Sequence, residues 1–128
     1  MEEDSFGPII FVVPEIWPKF EEWTGEIIHA SIDWGYANLD HENVLKIPQA
    51  DLYKLQDVWE LINEVNGSMI GPDENGMVYL QENKILILKN LQKLHDDESD
   101  WKKKRWKGKI MRLLEISIRT EQVITFHF

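Results

Sequence analysis

QADLYKLQDVWELINEVN, residues 49–66, is the stretch that orients the rest of the chain. Leu52, Leu55, Trp59 and Ile62 recur every three or four residues, with Val58 and Val65 beside them, which is the apolar stripe of an amphipathic helix. Asp51, Asp57, Glu60 and Glu64 fall off that stripe, and Gly67 stands where a left-handed C-terminal cap is wanted. The spacing predicts one continuous helix over 49–66 that buries a single face.

Upstream, the pattern changes period. Ile28, Ala30, Ile32 and Trp34 alternate with His29, Ser31 and Asp33, and alternation predicts a half-buried strand over 26–34. Ile9 to Val13 is a β-branched run between Pro8 and Pro14, expected at a sheet edge, and Val44 to Ile47 is a shorter strand ended by Pro48. Between them, Pro18 can open one helical turn carrying Phe20 and Trp23. Downstream, Gly71-Pro72-Asp73-Glu74-Asn75-Gly76 is turn chemistry, and Met77 to Leu80 and Ile85 to Leu88 read as strands across a tight connection. A short helix over Trp101 to Lys107, broken at Gly108, then leads to a terminal hairpin of Ile110 to Ile118 and Val123 to Phe128. The expectation is an α+β fold in a single domain, 1–128. It has a mostly antiparallel sheet of about five to six short strands, with the 49–66 helix packed on one face.

Composition fits a globular chain: of 128 residues, 43% are hydrophobic and 29% charged, outside the disordered range. With no cysteine, disulfides, thiolate catalysis and Cys-based zinc sites are excluded. Met1-Glu2-Glu3-Asp4 is acidic where a secretory signal is basic, and no apolar run approaches the ~20 residues of a membrane span, so a cytoplasmic protein is expected.

The residues offer little for chemistry. His29, Ser31 and Asp33 share a face of the expected strand, but neighbours on such a face stand ~7 Å apart, and a catalytic triad needs contacts of roughly 2.6–3.2 Å. His29, Asp33, Asp40, His41 and Glu42 are metal-ligand types, yet neither HExxH nor an EF-hand loop is present. No glycine-rich phosphate loop or GxSxG elbow occurs. No catalytic residue, metal or cofactor is expected, and the chain reads as a non-enzyme.

Charge is the informative feature. Residues 1–100 carry 21 acidic and 6 basic side chains, residues 101–128 carry 2 and 8, and the whole has a formal charge of −9. Six of the eight late cations fall in Trp101 to Lys109, flanked by two tryptophans, a mix found on nucleic-acid and membrane binders. The preceding Asp96-Asp97-Glu98-Ser99-Asp100 lies within a Debye length of about 8 Å and compensates much of that field. No direct contact with nucleic acid or membrane is expected from it.

An acidic surface instead suits capture of a basic protein, because complementary charge speeds encounter and carboxylates can occupy places meant for phosphates. The expected partner is a toxin domain such as a nuclease, which would make the chain an immunity protein that neutralises it. Two alternatives stand beside this reading: a small enzyme or ligand-binding domain with a scattered site, and an acidic inhibitor that mimics nucleic acid, of the kind a phage makes. The expected contact residues are Asp33, Tyr36, Asp40 and Glu42 in one acidic stretch and Asp73 and Glu74 in the turn, because loops on a rigid scaffold concentrate binding groups.

Overall fold

The computed structural model describes residues 7–128. Four antiparallel strands, β1 (Ile9–Val12), β2 (Val44–Lys46), β3 (Gly76–Val78) and β4 (Ile124–His127), form one sheet in the order β2-β1-β4-β3. Five helices surround it: α1 (Gly25–Ala37), α2 (Gln49–Leu52), α3 (Gln56–Asn66), α4 (Gln81–Asp97) and α5 (Trp101–Thr120), with a 3₁₀ turn at Phe20–Glu22. The α+β class holds, with fewer strands than expected among the described residues.

The four residues of β1 are all buried, as suits a strand covered on both faces. It is therefore central rather than an edge, pairing Ile10 with Leu45 of β2 and with Phe126 of β4. Pro14 lies outside the paired segment, and the Pro8 carbonyl still accepts from Ile47 N–H at 3.1 Å, so neither proline removes a ladder bond.

Alternation along the strands divides the core in two. Ile10, Val12, Ile124, Phe126 and Val78 face helices α2 to α5, meeting Leu52, Leu55, Trp59 and Ile62. Ile9, Phe11, Val13 and Val44 face the other way, under α1 and the aromatic segment before it. The stripe of 49–66 is fully buried as its spacing implies. It packs on β1 and β4, and not on Ile28, Ala30 and Ile32, which lie across the sheet. Helices on both faces, rather than one, make three layers.

Three expected strands are helices. Residues 26–34 belong to α1, whose N-cap Thr24 accepts from Ile27 N–H at 3.3 Å. A nine-residue alternation contains the i, i+4 pair Ile28 and Ile32, so it satisfies a helix as well. Ala30 is in fact exposed. Helix α1 sits close on β1 through Gly35, where a Cβ would lie 2.9 Å from Ile9 Cδ1. Residues 85–88 lie in α4, whose buried line is Lys84, Ile87 and Leu91, and the lysine hides that period in the sequence. Residues 110–118 continue α5, so no terminal hairpin forms, and Lys107 and Ser117 stand in its buried line. Gly108 does not break α5. A mid-helix glycine costs about 1 kcal/mol, which packing against α4 overrides.

The 49–66 helix divides after Leu52. There the indole N–H of Trp59 donates to the Leu52 carbonyl at 2.9 Å, and Leu55 leaves helical geometry at ψ 32°. Gly67 caps α3 in the left-handed region, at φ 68°.

Candidate partner-binding surface

The structure engages part of the basic block. Lys107 is 1% exposed, and its ammonium lies 2.7 Å from Asp57 and 2.6 Å from Glu98, joining α5 to α3 and to the end of α4. Burial pulls the Lys107 pKa down, but the hydrogen bonds to the two carboxylates outweigh this and hold it above the usual lysine value. Lys102 pairs with the buried Asp51 at 3.5 Å, and Asp51 also accepts from the Trp106 indole. Asp100 caps α5 through the N–H groups of Lys102 and Lys103. Trp106 is half-buried, whereas Trp101 is 72% exposed. In number, the six carboxylates Asp51, Asp57, Asp96, Asp97, Glu98 and Asp100 match the six cations Lys102, Lys103, Lys104, Arg105, Lys107 and Lys109, of which Lys102 and Lys107 form ion pairs. They cancel, so the whole −9 is carried by the remaining residues.

That excess is densest over α1. Residues 15–42 hold Glu15, Glu21, Glu22, Glu26, Asp33, Asp40 and Glu42, all exposed. Their one cation, Lys19, points inward and donates to the Thr120 carbonyl at 2.7 Å, closing the C-terminus of α5. From residue 20 to residue 45 there is no lysine or arginine. Beneath the charges lies a rigid aromatic bed. Trp34 contacts Phe11 and Trp17 with ring centres 6.5 and 6.4 Å apart, and Phe20 stacks on Tyr79 at 4.8 Å. Trp17, Trp23 and Trp34 are half-buried in this bed rather than standing out as anchors.

A 13-residue helix such as α1 is about 20 Å long. One strand of B-DNA carries a phosphate per ~3.4 Å of axis, about six over that length. Two of the seven carboxylates, Glu26 and Asp33, lie on α1 itself; the other five stand in the segments before and after it, with Arg112 of α5 beside Glu42.

The six expected contact residues border this layer. Asp33 is exposed on α1. Asp40 and Glu42 are exposed in the loop leading to β2, where Glu42 meets Arg112 of α5 at 3.4 Å across open solvent. Asp73 and Glu74 are exposed in the turn before β3, at the opposite edge of the sheet. Three strand spacings of about 4.8 Å separate the two edges, so the groups flank α1 rather than form one cluster. Tyr36 is a clamp: its hydroxyl donates to the Gly7 carbonyl at 2.8 Å and lies 3.0 Å from His127 Nδ1. Burial raises the Tyr36 pKa and lowers that of His127. Glu15, Glu21, Glu22 and Glu26 are not among the contact residues expected from the sequence, where their segment stands out for its aromatics. The cation-free interval 20–45 was the available signal.

The three residues of the triad pattern do not converge. His29 and Asp33 are exposed on α1, whereas Ser31 is buried with its hydroxyl donating to the Ile28 carbonyl at 2.6 Å. No cluster of three metal-ligand side chains occurs among the described residues. None of their helices is long and apolar enough to cross a membrane.

Comparison with known proteins gives three concordant results. A family model described as DMP12, DNA-mimic protein, matches residues 21–128. The DNA mimic protein DMP12 of Neisseria meningitidis serogroup B (strain ATCC BAA-335 / MC58) is 28% identical over 100 residues, 76% of this chain and 80% of its own. A solved structure, the Neisseria DNA mimic protein DMP12, has a TM-score of 0.72 at 25% identity, covering 95% of this chain and 99% of that one. These matches overturn the expectation of an immunity protein against a toxin partner and agree with the nucleic-acid-mimic alternative. The physical reason is that negative charge selects a basic surface without naming its owner. A toxin nuclease and a DNA-binding protein offer the same kind of phosphate-binding face.

Proposed function

This chain belongs to the DMP12 family of DNA-mimic proteins, and we propose that its α1 layer occupies the duplex-binding face of a basic, DNA-binding protein. The observation that carries this reading is the layer over 15–42: seven exposed carboxylates whose one lysine is turned inward. A partner that grips phosphates with lysine and arginine meets the same sign of charge there. Asp73 and Glu74 extend the contact over the β3 edge, and Asp33, Asp40 and Glu42 extend it toward β2. The protein acts by occupancy, without catalysis or cofactor, and it acts in the cytoplasm, where such partners hold DNA.

The test is competition. DNA-binding proteins purified from the host are loaded with labelled duplex, and release of the duplex is followed by fluorescence anisotropy. Addition of this protein should free the duplex with a saturable, stoichiometric endpoint. The combined Glu21→Gln, Glu22→Gln and Glu26→Gln variant should do so more weakly, mainly through slower association. Duplex and protein bound together on one partner would refute mimicry, as would a triple variant that competes as well as wild type.

A further inference from the structure

Helix α1 does not cover its face of the sheet evenly. At Gly35 it lies against Ile9 and Phe11, but toward β3 it stands off. There a groove of about 260 Å³ opens between Ile28 and Ile32 of α1 and Met77, Thr125 and His127 of the sheet, with Asn75 at its rim. The register accounts for the floor: Phe11, Thr125 and Met77 are directly paired across β1, β4 and β3, so all three side chains point to the α1 side. The lining is largely apolar and includes no lysine or arginine. Exposed carboxylates adjoin its lining along the chain: Asp33 follows Ile32 and Glu74 precedes Asn75, while Asp73 accepts from the Tyr53 hydroxyl at 3.5 Å. In the floor, the Thr125 hydroxyl is buried with no hydrogen-bond partner among the described residues.

We infer that this groove is an anchor site that receives one aliphatic side chain of the partner, carried between lysines or arginines. The inference rests on the proposed function and deepens it. Charge complementarity chooses the occupant: a second copy of this acidic chain would set like charges against each other, whereas a basic protein pairs its cations with Asp33 and Glu74. Such an anchor does what carboxylates cannot. Rim charges set the association rate and weaken with salt, while an apolar side chain held in a groove slows dissociation and is insensitive to salt. A duplex loses its partner as salt rises, so an apolar anchor lets the mimic keep hold where DNA releases.

Two lysine-rich peptides, identical except for a central leucine or serine, provide the test. Each is titrated into the protein and followed by NMR on backbone amides and on Ile and Met methyl groups. Both peptides should shift amides of the acidic layer. Only the leucine peptide should move the methyls of Ile28, Ile32 and Met77, and it should bind at least ~10-fold more tightly, a ratio that persists in added salt. Ile28→Trp, or Met77→Phe if that variant does not fold, fills the groove and should abolish the preference while leaving serine-peptide binding unchanged. Equal affinity of the two peptides overturns the anchor and leaves the acidic face standing. A leucine preference that survives in the filled variant, or that maps to other methyls, also overturns it. If neither peptide binds, the proposed face itself fails, and the anchor with it.

Discussion

Lys107→Met cuts the ion pairs that join α5 to α3 and α4, and the structure sets the size of the effect. The ammonium is 1% exposed and lies 2.6 and 2.7 Å from its two carboxylates. At an effective dielectric constant of about 20, each contact has a gross attraction of about 6 kcal/mol, most of which offsets the desolvation of the ions. What the variant loses is governed by the carboxylates left behind. The Asp57 side chain is 44% exposed and recovers water, but that of Glu98 is 14% exposed and recovers little. Removing one partner of a buried pair costs 3–5 kcal/mol, and one half-exposed carboxylate places this case near the lower end, about 3 kcal/mol. For a chain of this size that is roughly a 10 °C fall in melting temperature. The loss should shrink in acid, because the hydrogen bond from Lys107 depresses the Glu98 pKa, and that stabilisation disappears as pH falls through the folded-state value. Urea unfolding at pH 7 and pH 4 measures both parts. Adding Asp57→Asn and Glu98→Gln to Lys107→Met removes the stranded charges and should restore part of the loss. A single variant within ~0.5 kcal/mol of wild type would show that the contacts are incidental. A triple variant no better than the single would show that stranded charge is not the cause.

Three further outcomes are expected. Lys84 is buried and donates to Gln81 Oε1, Ser117 O and Gln122 O, with burial lowering its pKa to about 8 against the Coulombic pull of Glu121 and Glu21. Between pH 8 and 10.5 the unfolded chain holds a proton that the native chain has shed, so stability gains with pH there; Lys84→Met should remove that gain, and parallel urea midpoints for the two proteins across this range would contradict it. Thr125→Val replaces a buried hydroxyl, without a hydrogen-bond partner among the described residues, by a methyl of similar shape and should raise stability by about 1 kcal/mol in thermal unfolding, whereas a destabilised variant would reveal a partner for that hydroxyl. Combined Asp33→Ala, Asp40→Ala and Glu42→Ala should slow association with the partner and flatten its salt dependence while leaving the melting temperature nearly unchanged, because all three side chains are exposed; unchanged rates would remove these residues from the contact.

Some of this protein was determined by local sequence alone. The β-branched runs at 9–13, 44–47 and 123–128 form strands, and the 52-55-59-62 stripe is buried because its spacing leaves it no other face. Gly67 caps its helix because that backbone geometry favours glycine. The net charge needs no structure either. Tertiary structure decided what local pattern left degenerate. Residues 26–34, 85–88 and 110–118 fit either period, and they became helices because the four-stranded sheet needs both faces covered. The buried lysines 84 and 107 hid two helical stripes, since a lysine reads as solvent-facing until a fold supplies carbonyls or carboxylates for its ammonium. The candidate site follows the same division. The sequence counts the carboxylates, but only packing turns Lys19 and Lys107 inward, sets Lys102 and Lys107 against acids near α5, and leaves the acids of 15–42 facing solvent, with Arg112 beside Glu42. Charge is additive along a chain, whereas an electrostatic surface depends on which charges folding brings within a Debye length of one another.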